Sequence, residues 1–223
     1  MLRRGCLPIF ALTLVGCVKP GTNTHMWSHF DRALDAHNAV LAGQVIDARA
    51  AGQWLIDHPE GDLPRGSETL ERRLLQYARE LAGAKDMTEA AVNVAGIAEV
   101  CGECHRQFGP GPRFAGGGVP VDRTADVSRE MQRHAWATGR LWEGLIGPSD
   151  AAWMAGARVL KDAPMTPSQL PAREGAEEDI AALERRVHEF GQLSLGASSS
   201  ERTVIYANLI ATCASCHRLV RGS

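Results

Sequence analysis

The feature that most constrains this chain is a pentapeptide written twice. Cys101-Gly102-Glu103-Cys104-His105 and Cys213-Ala214-Ser215-Cys216-His217 both read C-x-x-C-H, and each is followed by an arginine, Arg106 and Arg218. A repeated motif raises the question of a repeated unit around it. "MWSHF" at 26–30 aligns with "MQRHA" at 131–135, and the same offset of 105 carries "LIDHP" at 55–59 onto "LKDAP" at 160–164. "LERR" at 70–73 returns at 183–186, and the two C-x-x-C-H runs follow at an offset of 112. The chain reads as a tandem duplication.

Apolar residues recur at helical spacing and strand signals are nearly absent. The spacing predicts helices over Thr24 to Ala42, Gln44 to Asp57, Ser67 to Leu81 and Met87 to Arg106. Four more are expected over Asp126 to Ile146, Ser149 to Lys161, Glu174 to Leu193 and Ser199 to Val220. Asp86-x-x-Glu89 and Ser198-x-x-Glu201 are candidate capping boxes before the last helix of each set. The breaks carry Gly and Pro, as in "HPEGDLPRG" and "APMTPSQLPA", and residues 108–123 are too rich in both to be helical. The expected fold class is all-α: two tandem antiparallel four-helix bundles, residues 24–107 and 124–223, joined by a 108–123 linker and each carrying its C-x-x-C-H at the end of its last helix.

Three chemistries use a C-x-x-C pair. Structural zinc needs four converging ligands, whose pairs usually lie within a few tens of residues rather than in equivalent places of separate units. A thioredoxin-like redox pair opens a helix after a strand, where the helix N-terminus lowers the thiol pKa; these motifs close helices. Attachment of haem c needs two thiols spaced to reach the two vinyl groups on one porphyrin edge, with a histidine immediately after them turned toward the iron. Pattern, position and duplication agree on haem, so two haem c groups are expected per chain.

The start of the chain supplies the compartment. Arg3 and Arg4 precede an apolar run from Leu7 to Val15, the layout of an export signal and too short to span a bilayer. Leu14-Val15-Gly16-Cys17 resembles the lipobox of bacterial lipoproteins, which implies a signal peptide over 1–16, a lipidated Cys17 and a short anchor linker over 17–23. The expected location is the periplasmic side of a bacterial membrane. Val18 after the lipid cysteine favours the outer one, by resemblance to enterobacterial sorting. Without residues 1–16 the chain keeps 22 basic against 26 acidic side chains, a balance that argues against a nucleic-acid partner.

A four-helix unit whose haem motif closes the last helix, with "MWSHF" on the first, resembles the cytochrome c′ family and its low-spin relatives. The resemblance covers about residues 22–107 and 124–220. It implies thioether bonds at Cys101, Cys104, Cys213 and Cys216, and proximal iron ligands at His105 and His217.

The sixth iron position then decides the chemistry, and it should be filled from the first helix of each unit. Of the remaining histidines, only His29 and His134 occupy equivalent places in the repeat, and of the methionines only Met26 and Met131. Each unit therefore offers M-x-x-H on one helix face, with methionine, histidine and no strong protein ligand all open. A thioether raises the reduction potential relative to a second imidazole. Two strong ligands make an electron carrier, and an open face makes a binder or sensor of nitric oxide or carbon monoxide. A dihaem peroxidase would need an acid/base constellation beside an open iron, and none is evident. The sequence therefore leads to a non-enzymatic, membrane-anchored dihaem cytochrome passing single electrons between redox proteins, with gas binding as the alternative. Arg106 and Arg218 are placed to pair haem propionates or to cap a helix dipole, and the five tryptophans are read as packing.

Overall fold

The computed structural model describes residues 20–59, 61, 63–109, 111–114, 118, 127–162 and 175–221. The expected signal peptide and Cys17 lie outside the described residues. Among those described, all secondary structure is helical: α1 Pro20–Ala42, α2 Val45–Asp57, α3 Glu68–Ala82, α4 Met87–Phe108, α5 Val127–Ile146, α6 Asp150–Asp162, α7 Glu177–Gly196 and α8 Ser199–Arg221. None of these helices is long and apolar enough to cross a membrane.

The helix ends follow local chemistry. α1 begins at Pro20, four residues earlier than Thr24, because proline suits a first turn whose N–H groups have no intrahelical partner. It stops where Gly43 enters the left-handed region at φ 76°, which lets the Gln44 N–H reach back to the Ala39 carbonyl at 2.9 Å. Asp86 caps α4 by accepting from the Thr88 and Glu89 amides at 2.8 and 2.9 Å, while Glu89 accepts from Lys85 rather than from Asp86 itself. At α8 the reciprocal bond is the one that forms, with the Ser198 N–H donating to Glu201 at 2.8 Å.

Each helix packs against the next within α1–α4 and within α5–α8; α1 returns to α4, and α5 to α8. The core is rich in alanine: Ala36, Ala48, Ala78, Ala90 and Ala95 have no exposed surface, and such small side chains let helices lie close together. In the second half the large fillers are Trp142, Trp153 and Tyr206.

The two halves share one core. α8 packs against both α4 and α1, and α4 packs against α5, so Ala36 and Val40 of α1 belong to the same buried cluster as Leu141, Ile146 and Ile210. At that junction His37 stacks on Trp142, ring centroids 4.8 Å apart, with Tyr206 6.0 Å on. Trp142 stands 105 positions after His37, so the two stacked rings occupy equivalent places in the repeat. Where α4 meets α5 the backbones touch: a Cβ at Gly102 would overlap the Leu145 carbonyl oxygen.

The segment after α4 is more than a spacer. A Cβ at Gly111 would stand 3.0 Å from the His105 side chain, and Phe114 lies against Phe30 with ring centroids 5.7 Å apart. Trp27 also departs from the packing expectation. It is 52% exposed.

Candidate functional site

α4 brings Cys101, Cys104 and His105 onto one face, since positions i, i+3 and i+4 of a helix are neighbours. Against this face lies a cavity of about 440 Å³, within the range of roughly 300–1,000 Å³ usual for cofactor and ligand pockets. Its other walls are Met26, His29 and Phe30 from α1, Leu70 and Leu74 from α3, and Ile97 and Val100 from α4. The sequence-predicted residues of the first half are thus brought together around one largely apolar space.

Burial lowers the His105 pKa, opposed by its bond to a backbone carbonyl, so the ring is held neutral. Its Nδ1–H donates to the Ile146 carbonyl at 2.7 Å. That bond puts the proton on Nδ1 and leaves Nε2 with a lone pair, the form in which imidazole binds a metal. His217 repeats the arrangement, its Nδ1 2.5 Å from the Leu41 carbonyl.

The two candidate distal residues of the first half are used differently. His29 is buried, its Nε2–H donates to the His58 carbonyl at 2.6 Å, and its ring meets Trp54 edge-on at 5.4 Å. That bond fixes His29 as part of the packing, with Nε2 turned to a carbonyl, whereas Met26 lines the cavity.

In the second half Met131 packs into a cluster with Cys216, Ala176 and Ile180. His134 is buried, its ring 5.8 Å from that of His188. His188 is in turn tied to the Leu160 carbonyl at 2.5 Å and to Glu184 at 2.7 Å. Glu184 is the counterpart of Glu71 in the repeated "LERR", but it is only 8% exposed.

The thiols of the second half are not those of a redox pair. Burial and the neighbouring Cys216 push the Cys213 thiol up to about 12, and burial followed by the nearby Glu184 raises Cys216. A reactive thiolate needs the opposite shift. Among the described residues no three His, Cys, Asp or Glu side chains converge as a chelating group, so the two pairs do not form one four-cysteine site. The residues of the first half do fit haem c: two thiols and an oriented imidazole share a helix face beside an apolar cavity of cofactor size.

Arg113, from the segment after α4, lines this cavity; Arg106 instead lines a separate cavity of about 300 Å³ with Leu145 and Ser199. The arginine that faces this cavity is therefore Arg113 and not Arg106. The Leu41 and Ile146 carbonyls and the His58 carbonyl escaped the sequence reading because backbone acceptors carry no residue signature. Comparison with protein-family models, curated proteins and solved structures returned no match.

Proposed function

We propose that this protein is a dihaem c-type cytochrome built as two tandem antiparallel four-helix bundles, carrying single electrons between redox partners at a membrane surface. The observation that carries the reading is the pair of C-x-x-C-H histidines, each donating Nδ1–H to a helix-end carbonyl and so keeping Nε2 for a metal. When bound, each haem supplies an iron that alternates between ferric and ferrous, one electron at a time. Cys101, Cys104, Cys213 and Cys216 would hold the two porphyrins, and His105 and His217 would be the proximal ligands. Met26 is the distal residue supported in the first half, because His29 spends its Nε2 on His58; Met131 is its counterpart in the second.

The apolar walls around Ile97, Val100 and Leu74 keep water from the first site and lower the local dielectric. Arg113, which lines the cavity, would offer a cation to a propionate. Lipidation of Cys17 would hold the chain at the periplasmic side of a bacterial membrane, the outer one favoured, within reach of a donor and an acceptor protein. No substrate is turned over in this reading.

The test is the absorption spectrum of the haem-loaded protein, oxidised and reduced, before and after carbon monoxide. Low-spin bands indifferent to the gas, with a sulfur-to-iron band in the oxidised form, are expected. A spectrum that shifts with carbon monoxide would replace electron transfer by gas binding or sensing at an open distal face.

A further inference from the structure

The two proximal histidines are not held by their own halves. His105 lies on α4 and its carbonyl partner, Ile146, ends α5; His217 lies on α8 and its partner, Leu41, is in the last turn of α1. Ile146 stands 105 positions after Leu41, the offset of the repeat. The exchange is therefore reciprocal: each half uses the end of its first helix to hold the other half's histidine.

The acceptors suit the task. The last carbonyls of a helix have no intrahelical donor and carry the negative end of its dipole, so they accept strongly. A strong acceptor on Nδ1–H makes the imidazole a more basic ligand, which favours ferric iron. Each first helix also serves both sites. α1 presents Met26 to the cavity above His105 and, about 22 Å further along, Leu41 to His217.

We propose that Leu41 and Ile146 are reciprocal positioning residues, and that the packing of the two halves sets the reduction potential at each iron through the other half's helix end. The inference rests on the dihaem reading above. It makes the chain one redox unit rather than two carriers on a tether.

The experiment is a redox titration of the full haem-loaded protein, resolving both haems, in three variants. Gly102→Ala forces α4 away from the Leu145–Ile146 end of α5, and Gly43→Ala strains the left-handed residue that closes α1 beside Leu41. Gly156→Ala is the control. Its Cβ would stand 2.5 Å from the Ala137 carbonyl, between α5 and α6 and at neither histidine. Gly102→Ala should raise the potential of one haem and Gly43→Ala that of the other, each by about tenfold in the ferrous to ferric ratio, or about 59 mV for one electron. Gly156→Ala should lower the melting temperature and move neither potential.

Unmoved potentials in the first two variants, or equal movement in the control, would overturn the proposal while leaving the cytochrome reading intact. A chain that takes up no covalent haem would overturn the cytochrome reading itself. Should a variant fail to fold, NMR hydrogen exchange on the unaltered reduced protein decides. Both Nδ1–H protons should exchange slowly, and fast exchange at either histidine would count against its cross-tie.

Discussion

The first half and the second half hold their C-x-x-C-H histidines in the same way and differ on the side that faces them. In the first, α1 and α3 leave a cavity of about 440 Å³, and His29 is absorbed into packing by the His58 carbonyl. In the second, Met131 packs with Cys216, Ala176 and Ile180, and a part-buried Glu184–His188 pair stands beside His134. Where the second half has His188, the first has Leu75. The contrast puts the likeness at the two C-x-x-C-H histidines, each tied to the end of the other half's first helix, and the difference on the sides where each half faces only itself. Two sites with one proximal geometry and two polarities are expected to titrate apart, since charge and hydrogen bonding near a haem tune its potential.

The largest effect that could break this comparison is loss of a haem from one side. Replacing Cys101 and Cys104 by Ala should remove one haem, and replacing Cys213 and Cys216 the other, each seen as the loss of one haem mass from the intact chain. Loss of both haems from either double variant would show that the halves cannot be loaded separately. Next in size is the spectral change. Met26→Leu should convert one iron to a form that binds carbon monoxide, Met131→Leu the other, and His29→Leu neither. A carbon monoxide response in His29→Leu would return the distal role to histidine.

The C-x-x-C-H helix faces and the helix ends were legible because their signals are local. C-x-x-C-H is contiguous, Asp86 and Gly43 act within one turn, and the Gly/Pro runs stop helices by their own backbone chemistry. The eight helices accordingly fall within three residues of the expected bounds, except at Pro20. The junction was not legible. Its contacts join α1 to α8 and α4 to α5, and no period in the sequence reports them. Gly102 looks like any residue inside C-x-x-C until the α5 backbone is seen against it, and His37 looks like one more position on an amphipathic helix. Residues 108–123 read as a spacer by composition, yet Gly111 and Phe114 pack on His105 and Phe30.

His37 sharpens the comparison at the plane where the halves meet. It is 3% exposed, and desolvation lowers its pKa from 6.5 to about 4 despite the bond to Asn38. Because the folded value lies below the unfolded one, the unfolded chain binds the extra proton first. The stabilisation is complete above pH 6.5 and is lost as the pH falls toward 4, by roughly 3 kcal/mol in all. Denaturant melts of the wild type and His37→Leu at pH 7 and pH 4 should show a smaller acid loss in the variant. Equal losses would mean that the ring does not stay neutral at the junction.

The smallest effects test whether the asymmetry is built into each half or merely tolerated. His188→Leu removes the bonds to Glu184 and to the Leu160 carbonyl, so a buried carboxylate loses one of its hydrogen bonds. A loss of about 1–3 kcal/mol is expected. Trp27→Ala should change stability by no more than about 0.5 kcal/mol, because the ring is more than half exposed. Trp27 nonetheless lines the cavity beside Met26 and meets Phe30 edge-on at 5.9 Å. If the variant admits carbon monoxide to the first site while its melt is unchanged, the exposed ring is there to cover the cavity mouth. If stability falls by 2 kcal/mol or more, it is packing after all, and the open side of the first half is less open than its exposure implies.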